Sequence, residues 1–424
     1  MEAAGLVAGQ ATAPPWYRAT RVRNRVGRGE QRRLRVLFVN DHLVYPGGVI
    51  HGVTRYVLDV LPRLSTHVAV GACFFRSPGA LPELEEAGVQ LFARPRPRWD
   101  PRSLLDLAGV VREFDPDILH LAGLKGMSLG RIVARVGRRS SVVHFHDLDV
   151  PGPAARLTMR ALAGLTDAAV AVSAAAAGSA VSMFGIERSR MQVIPNGVVL
   201  DRFKRPGPAR LREIRASLAL DRGSRVVGVV GRLAPGKGQV RLIRSLPLVL
   251  ARVPKTVLVI VGDGVTRAEC EAEAASLGVA RAVRFVGQRR DVPELLHAFD
   301  VVAVPSEREG FSLAALEAMA AGRPVVACRV GGLADLVVHG ESGILVEPTS
   351  VEALAEGIAT VLESPALARG LGALALERAR AFALDSHVGA LLELYFSLVP
   401  NVGVATRTDT PRPLAPSSSR SGGS

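Results

Sequence analysis

The chain has 424 residues, more than one ordinary hydrophobic core accommodates, which predicts two domains with terminal tails. Hydrophobic residues make up 48% of it and aromatic residues only 4%, a composition typical of Val-rich parallel strands covered by Ala- and Leu-rich helices. The net charge of +14 is explained by basic tails, or it indicates an anionic substrate or an anionic lipid surface as a partner. Nucleic acid is a less favoured partner, because the sequence contains no basic module with interleaved aromatic residues. Three widely spaced cysteines argue against a disulfide framework or a zinc site.

The two ends of the chain differ from its middle. Residues 1–33 form an arginine-rich leader and residues 404–424 a Thr/Pro/Ser/Gly/Arg tail, and both are predicted to be disordered. The leader is not a typical secretory signal, because its arginines follow the apolar stretch instead of preceding it. The uncharged run at 168–186 approaches the length of a membrane span, but its Ala, Ser and Gly content favours short strands. We therefore expect a cytoplasmic protein.

The first half of the chain alternates short apolar runs with segments of helical spacing. A helix is expected at 53–64, after the turn that contains Gly47 and Gly48. Strands that alternate with helices predict a parallel, doubly wound sheet. The expected strands lie at 34–39, 68–75, 118–121, 141–145 and 168–172.

The same pattern restarts after a basic stretch with proline and glycine at 202–210. The fold class is therefore α/β, with two Rossmann-like domains that face a common cleft. We place the first domain at 34–200, a linker at 201–222, the second domain at 223–385, and a last helix at 386–403 that packs back on the first domain. The expected strands of the second domain lie at 225–230, 257–261, 283–286, 300–304, 324–328 and 343–346.

The turn after the first strand of the second domain contains glycines and two cations. Gly231, Gly236 and Lys237 have the spacing of a phosphate-binding P-loop, and Asp263 imitates the second motif of such NTPases. Gly238 stands where a P-loop requires Ser or Thr to bind magnesium. The alternative interpretation needs no metal: Arg232 and Lys237 lie near a strand end, where they neutralise a diphosphate leaving group.

Further strand ends carry weaker signals. Gly262 opens a glycine turn that lacks the third glycine of the dinucleotide fingerprint, and Val286 with Gly287 frames a base pocket or an ordinary turn. Gly48 allows close approach of a ligand to the backbone. His144 and His146 end a strand and share one face, because side chains alternate along a strand. A metal site formed with Asp147 is the weaker alternative, since no third ligand has suitable spacing.

Two carboxylates stand on a strand-to-helix turn near the end of the second domain. Glu309 is expected on the turn and Glu317 two turns into the helix, both facing the cleft. Such a turn directs backbone N–H groups and the positive end of the helix dipole outward from the sheet. Two acids beside an anion-binding turn suit a ligand with both phosphates and hydroxyls, such as a nucleotide sugar.

Together these residues resemble the retaining GT-B glycosyltransferases of the family 4 type, also called glycosyl transferases group 1. The resemblance covers roughly 34–398, and its most specific part is the Glu-x7-Glu segment from Glu309 to Glu317. The segment around Gly231 and Lys237, the Ile194-Pro195-Asn196-Gly197-Val198 run, and the later glycine turns at 331–332 and 340–343 add to it. The resemblance implies a GT-B fold with an acceptor-side first domain and a donor-binding second domain.

The resemblance also implies roles for particular residues. Arg232 and Lys237 would contact the donor diphosphate, Glu317 the ribose hydroxyls, and His146 the donor sugar near the reacting carbon. Glu309 would hold sugar hydroxyls. The catalytic set would then be His146, Glu309, Arg232 and Lys237. The donor-binding set would be Gly48, Gly231, Arg232, Lys237, Gly262, Val286, Glu309, Gly310, Phe311, Ser312, Leu313 and Glu317.

The implied reaction moves a hexose from a UDP- or GDP-sugar to a hydroxyl acceptor, with retention and with neither a metal nor a cofactor. The acceptor would be a small molecule, a lipid-linked glycan or another cell-envelope glycan. The alternatives are a GT-B epimerase, a P-loop-like NTPase and a non-catalytic binding protein. Departures from the family pattern, Asp335 in place of Glu and the additional His144, leave the acceptor and the donor geometry open.

An anionic membrane surface is a second possible partner, on the inner face of the cell membrane. The run from Arg94 to Trp99 combines cations with an interfacial aromatic residue. Four arginines crowd another segment: Arg131, Arg135, Arg138 and Arg139. A solvated basic face explains both stretches equally well.

Overall fold

The computed structural model describes residues 32–41, 52–76, 81–97, 100–148 and 151–400. Two parallel sheets organise this part of the chain, one of seven strands in the order β3-β2-β1-β4-β5-β6-β7 and one of six in the order β10-β9-β8-β11-β12-β13. The first sheet contains β1 (Arg35–Asn40), β2 (Ala69–Phe74), β3 (Gln90–Ala93), β4 (Ile118–Leu121), β5 (Ser140–Phe145), β6 (Ala168–Ala171) and β7 (Met191–Val193). The second contains β8 (Arg225–Val230), β9 (Thr256–Val261), β10 (Val283–Gly287), β11 (Val301–Val304), β12 (Val325–Cys328) and β13 (Gly343–Val346).

Helices connect the strands and cover both faces of each sheet. Those of the first half are α1 (Gly52–Ser65), α2 (Pro82–Glu86), α3 (Arg102–Phe114), α4 (Leu124–Gly137), α5 (Pro153–Ala161) and α6 (Ala174–Phe184). The second half begins with α7 (Pro208–Ser217), α8 (Gln239–Arg252), α9 (Arg267–Ser276), α10 (Val292–Leu295) and α11 (Leu313–Ala320). It ends with α12 (Gly331–Leu336), α13 (Val351–Glu363), α14 (Pro365–Ala381) and α15 (Leu384–Leu398). The predicted fold class, two Rossmann-like parallel sheets, is confirmed.

Local chemistry explains where these elements lie. The central strands are short apolar runs whose residues are buried on both faces, which is the pattern that a covered parallel sheet requires. Four helices begin with a serine whose side-chain oxygen accepts a hydrogen bond from the third helical N–H, and this cap stabilises a helix by about 1 kcal/mol. The capping serines are Ser173, Ser312, Ser350 and Ser364.

Two strands were missing from the sequence prediction. β3 and β7 lie at the two edges of the first sheet, where they are half exposed and short. An edge strand does not need a continuous apolar run, so the apolar-run criterion passes over it. The run at 168–186 forms β6, a turn and α6, and the described residues include no helix long and apolar enough to cross a bilayer.

The strand order of each sheet indicates where the cleft lies. The order reverses at β1, which pairs with β2 and β4, and again at β8, which pairs with β9 and β11. In open parallel sheets ligands bind beyond the carboxyl ends of the strands at such reversals. The turns that follow β5 and β11 touch each other, so the carboxyl ends of the two sheets face a shared cleft.

The chain crosses between the halves twice. The second crossing pairs with the first, because the Val198 N–H donates to the Phe382 carbonyl and the Leu384 N–H donates to the Val198 carbonyl, both at 2.9 Å. Helix α15 then packs against α1, and its apolar residues Leu391 and Tyr395 belong to the same buried cluster as the first sheet. The end of the chain therefore completes the core of the first half.

Candidate active site

The loop between β8 and α8 is held against the loop that follows β11. The Glu307 N–H donates to the Gly236 carbonyl at 2.8 Å, which joins the two loops directly. Gly238, with φ +76°, precedes α8 as its N-cap, and a Cβ on it would collide with the Pro305 carbonyl oxygen. Glycine is therefore needed at 238 for close packing, where a P-loop would have Ser or Thr.

This packing brings together two charges that the sequence had assigned to different parts of a ligand. The Lys237 ammonium lies 2.8 Å from a Glu309 carboxylate oxygen, and the two side chains are 34% and 13% exposed. One follows β8 and the other follows β11, on either side of the point where strand order reverses. A cation and a carboxylate thus meet at the position where a ligand is expected.

A second layer of polar side chains supports these loops and was missed by the sequence prediction. The Gln239 amide donates to the Arg232 carbonyl at 3.0 Å, and the Arg241 guanidinium donates to the Pro305 carbonyl at 3.1 Å. Arg241 also pairs with Glu307 at 3.1 Å. Both side chains belong to the first turn of α8, so a cation four residues after Lys237 was the available signal. Arg232 itself is exposed at the end of β8.

The predicted glycine turns lie side by side along the same edge of the second sheet. The Gly231 N–H donates to the Val261 carbonyl at 2.9 Å, and the Gly262 N–H donates to the Gly287 carbonyl at 2.8 Å. Val286, the residue before Gly287, is half-buried at the end of β10. The strand ends β8, β9 and β10 therefore form one continuous floor on the side of the cleft that belongs to the second half.

The turn that carries Glu309 and Gly310 lies between the two halves. On one side the Gly332 N–H donates to the Glu309 carbonyl at 2.9 Å. On the other side a Cβ on Gly310 would stand 2.5 Å from the His146 carbonyl oxygen and 2.6 Å from the Asp147 Cα. Only glycine leaves room for the backbones to approach so closely. The turn that carries Glu309 is therefore packed against the segment that carries His146, and the roles of the two side chains stay predictions.

Helix α11 begins directly after this turn. The Ser312 hydroxyl accepts a hydrogen bond from the Ala315 N–H, so the helix starts at Leu313 with its positive end toward the cleft. Phe311 is buried and its ring centroid lies 5.9 Å from that of Phe382, at the second crossing of the chain. The packing of the Phe311 ring fixes the direction in which the N-terminus of α11 points.

Glu317 has neighbours other than those expected. It lines a cavity of about 10 Å³, enough for one water molecule, together with Arg55 and Asp59 of α1 and Arg202 of the first crossing. Burial, offset in part by the Arg55 guanidinium, raises the pKa of Glu317 to about 7. The structure therefore places Glu317 where α11 meets α1 and the interdomain connection, and its contact with ribose stays a prediction.

His146 lies at the end of β5 within a group of neutral rings. His144 and His146 share one face of the strand, as predicted, and their rings stack with centroids 3.9 Å apart. The Tyr56 ring contacts the His146 ring edge-on at 4.7 Å. Burial lowers the pKa of His146 to about 3, so the imidazole is neutral near pH 7.

The remaining predicted residues give a mixed result. Gly48 lies outside the described residues, as do Arg98 and Trp99 of the predicted basic and aromatic segment. Arg131 was expected on an exposed basic face, and this prediction is wrong: the side chain is fully buried and bonds to the Met127 carbonyl. Within the described ranges no group of three or more His, Cys, Asp or Glu side chains is arranged to hold a metal ion.

Two family profiles match consecutive parts of the chain. The profile for glycosyltransferase family 4 matches residues 50–202, and the profile for glycosyl transferases group 1 matches residues 211–378. The first match covers most of the first sheet and the second match covers the second sheet, including both Lys237 and Glu309. Each family match therefore corresponds to one half of the fold.

Curated relatives share about a third of their residues with the chain. The D-inositol 3-phosphate glycosyltransferase of Corynebacterium urealyticum is 34% identical over 232 residues, which are 52% of this chain and 54% of the relative. The same enzyme of Rhodococcus jostii is 34% identical over 259 residues, which are 59% and 57% of the two chains. The matched stretch thus spans a little over half the length of these relatives.

Solved structures match over a larger share of the fold. The Anabaena protein Alr3699/HepE, crystallised with UDP-glucose, superposes with a TM-score of 0.74 at 26% identity and covers 86% of this chain and 100% of its own. WaaG, described as a glycosyltransferase involved in lipopolysaccharide biosynthesis, superposes with a TM-score of 0.68 at 22% identity over 85% and 99% of the two chains. The WaaG match supports the fold alone.

Proposed function

Since the chain belongs to the group 1 glycosyl transferases of the family 4 type, we propose that it moves a hexose from a nucleotide diphosphate sugar to a hydroxyl acceptor, with retention of anomeric configuration. The observation that carries the proposal is the pairing of Lys237 with Glu309 at 2.8 Å beside the N-terminus of α11. These groups suit the two parts of a nucleotide sugar. The cation and the helix end attract phosphates, and the carboxylate accepts hydrogen bonds from sugar hydroxyls.

The donor we propose is a UDP-hexose. Its support is the likeness to Alr3699/HepE, which was crystallised with UDP and with UDP-glucose. In this arrangement the base lies over the strand-end floor near Val286 and the diphosphate lies between Arg232 and Lys237. The sugar then extends toward Glu309 and His146, where the two halves of the fold meet.

The chemistry follows from where charge develops. Cleavage of the bond between the sugar and the diphosphate leaves negative charge on the diphosphate, and Arg232, Lys237 and the positive end of α11 stabilise that charge without a metal. Glu309 holds the sugar hydroxyls so that the reacting carbon stays in place. The acceptor hydroxyl approaches from the side of the first half and attacks the face that the diphosphate leaves, and its proton passes to the departing phosphate oxygen. Attack on that face retains the configuration.

His146 suits a neutral role in this reaction. Its imidazole stays uncharged near pH 7 because it is buried, and a neutral ring accepts or donates one hydrogen bond without repelling the developing positive charge on the sugar. We therefore assign His146 a contact with the donor sugar and assign no proton transfer to it. The acceptor class is a hydroxyl of a polyol, a lipid-linked glycan or another cell-envelope glycan; the relatives are named for inositol 3-phosphate.

A thermal-shift screen with UDP, GDP, ADP and their sugars, each with and without EDTA, and with ATP and GTP in the presence of magnesium, tests the donor. A ligand that binds only the folded state raises the melting temperature. At a hundredfold excess over Kd, it raises the free energy of unfolding by about 2.7 kcal/mol. We expect a shift with UDP and UDP-hexose that EDTA leaves unchanged. A shift only with ATP or GTP plus magnesium contradicts the proposal. In a separate incubation without any acceptor, conversion of the donor indicates an epimerase.

We also propose peripheral binding to anionic membranes, for which the structure offers a smaller surface than the sequence suggested. Of the four arginines in α4 and its C-terminus, Arg131 is buried and Arg139 pairs with Asp115 at 2.6 Å. Arg135 and Arg138 remain exposed and flank Val136, which is 82% exposed. An exposed apolar residue between cations suits the interface of an anionic bilayer.

Sedimentation with vesicles tests this surface. We expect binding to vesicles of anionic lipid and none to vesicles of neutral lipid, and we expect the double variant Arg135→Gln/Arg138→Gln to weaken it. Equal and negligible sedimentation with both kinds of vesicle refutes the membrane proposal. It leaves the transferase proposal untouched, because the donor site is built from other residues.

A further inference from the structure

The additional histidine, His144, has no role in the proposed reaction, and it belongs to a buried polar cluster that also contains His146. The cluster contains four imidazole rings and two phenol rings, and each ring except that of His146 is less than 5% exposed. Its members come from α1, β4, β5 and the distant helix α15: Tyr56, His120, His144, His146, His387 and Tyr395. Buried polar groups are costly without partners, and hydrogen bonds join five of the six rings. Among the described residues, His144 Nε2 and His146 Nε2 have no hydrogen-bond partner.

The first chain of hydrogen bonds runs from α15 to β5. The Tyr395 hydroxyl lies 2.6 Å from His120 Nδ1, and His120 Nε2 lies 2.9 Å from His144 Nδ1. The Tyr395 hydroxyl has no other acceptor among the described residues, so it donates to His120. His120 then carries its proton on Nε2 and donates to His144, which fixes the position of the His144 ring.

The second chain holds Tyr56. His387 Nδ1 lies 2.6 Å from the Pro195 carbonyl, which only accepts, so His387 donates there and its Nε2 is an acceptor. The Tyr56 hydroxyl, 3.2 Å from His387 Nε2, donates to it. Both chains therefore end on α15, one at Tyr395 and one at His387. They fix the two rings that contact His146.

His146 itself depends on those two rings. It follows the last residue of β5, so no strand ladder holds its backbone. No hydrogen-bond partner among the described residues reaches its Nε2. Its ring is instead packed by stacking on His144 at 3.9 Å and by the Tyr56 ring at 4.7 Å. The stack requires neutral rings, and burial keeps the pKa of His144 well below its usual value.

We infer that His144 is a positioning residue, whose ring stacks on His146 and fixes that side chain at the donor sugar, while α15 holds His144 in place through Tyr395 and His120. The inference rests on the proposed function, because it assigns a consequence to the position of His146. It also gives the helix that crosses back to the first half a part in the active site. Truncation of α15 would release both chains of hydrogen bonds.

Two substitutions distinguish the contribution of the His144 ring from the contribution of its hydrogen bond. His144→Phe keeps a flat ring over His146 and loses the acceptor for His120. His144→Asn keeps an acceptor at the position of Nδ1 and loses the stacked ring. We expect kcat for sugar transfer to fall about tenfold to a hundredfold in His144→Asn, because a displaced group near the reacting atoms costs that much. The donor KM stays within about twofold of wild type, and His144→Phe retains kcat within about threefold.

A matched control is the same change at another buried histidine. His297 precedes β11, away from the cleft, and its Nε2 bonds to the Phe203 carbonyl at 2.9 Å. His297→Asn should leave kcat at the wild-type value. A loss of kcat in this control equal to that in His144→Asn would mean that the effect is general destabilisation, and the positioning role would be refuted.

A second readout does not depend on turnover. In protein labelled with ¹⁵N-histidine, the imidazole signals of His146 report whether the ring is held. We expect these signals to shift or broaden in His144→Asn and to stay near wild type in His144→Phe. Unchanged kcat and unchanged His146 signals in folded His144→Asn overturn the inference, as does loss of the signals in folded His144→Phe.

The two readouts distinguish the inference from the proposed function. If wild-type protein transfers no sugar while the His146 signals respond to His144→Asn, the function is wrong and the positioning stands. If wild-type protein transfers sugar while neither kcat nor the signals respond, the positioning is wrong and the function stands. If His144→Asn does not fold, the His146 signals of His144→Phe decide alone.

Discussion

The two walls of the cleft are built from opposite chemistry. The wall from the second half presents charges on short turns, such as Lys237 and Glu309, which are partly exposed and paired across neighbouring loops. The wall from the first half presents the uncharged ring of His146, which is packed against the buried rings of Tyr56 and His144. In the proposed function, charges at an exposed turn are available to the diphosphate, whereas the neutral ring of His146 contacts the sugar without competing for its leaving group.

The two walls differ in what holds their side chains in position. Lys237 and Glu309 are fixed by backbone hydrogen bonds between adjacent turns, so glycines and strand ends determine their position. His146 is fixed by side chains from α1, β5 and α15 that are far apart in sequence. We therefore expect changes on the charged wall to affect catalysis with little effect on stability, and changes on the ring wall to affect both.

The largest expected effect comes from the cation of the charged wall. In Lys237→Met we expect kcat to fall about 10² to 10³-fold, because the diphosphate loses a preorganised positive charge. The melting temperature should change little, since an ion pair with partly exposed members contributes about 0–1 kcal/mol. Steady-state kinetics and calorimetry on the same preparation check both parts.

The control for this variant is another lysine in an ion pair. Lys204 lies 2.9 Å from Asp201 on the interdomain connection, and both side chains are largely exposed. Lys204→Met should retain wild-type kcat. Wild-type kcat in Lys237→Met would instead remove Lys237 from the catalytic set.

The next effect concerns the point where the walls touch. In Gly310→Ala the new Cβ would stand 2.5 Å from the His146 carbonyl oxygen and 2.6 Å from the Asp147 Cα, well inside van der Waals contact, so the turn has to move. We expect kcat/KM to fall about a hundredfold and stability to fall by about 1–3 kcal/mol, the usual cost of overpacking. Gly178→Ala, in α6 with open space around it, should leave kcat/KM unchanged. Equal activity of the two variants would contradict the packing argument.

A smaller effect is expected from pH, and it belongs to the ring wall. Burial, despite the bond from His387 to the Pro195 carbonyl, lowers the pKa of His387 to about 4, compared with about 6.5 when unfolded. Between these values the unfolded chain binds the proton and the folded chain does not. His387 therefore costs stability as pH falls from about 6.5 toward 4, by about 1.4 kcal/mol per pH unit.

The variant His387→Gln isolates this contribution. Glutamine keeps one donor for Pro195 and one acceptor for Tyr56 but does not titrate in this range. Urea unfolding at several pH values should show a shallower loss of stability on acidification in the variant than in the wild type. Parallel curves for the two proteins would show that His387 does not carry the proton linkage.

The smallest predicted effect concerns a contact that joins the two halves away from the reacting groups. The Asp335 carboxylate accepts a hydrogen bond at 3.1 Å from the Ala174 N–H, at the N-terminus of α6. Asp335→Asn keeps an acceptor and removes the charge that favours a helix N-terminus, which is worth about 0.3–1 kcal/mol. We expect the donor KM to rise up to about fivefold with kcat unchanged. Asp201→Asn, at an exposed position on the connection, serves as the control and should leave KM unaltered.

The sequence predicted the charged wall better than the ring wall for a physical reason. Strand ends, turn glycines and a helix start are local features, so the positions of Lys237, Glu309 and the start of α11 were read from neighbouring residues. The buried Arg131 shows the limit of prediction from neighbouring residues, because its spacing from the other arginines does not indicate that it lies on the buried face of α4. The edge strands β3 and β7 show a second limit, since partial exposure removes the apolar signal.

By itself the sequence determined the alternation of strands and helices, and hence two doubly wound sheets, because each element requires its own period of apolar residues. It also determined which charges stand at strand ends. Only the tertiary structure decided that Lys237 pairs with Glu309 and that Glu317 lies beside Arg55. Only the tertiary structure brought His387 and Tyr395 to His144, since contacts between residues more than two hundred positions apart are set by packing and leave no local pattern.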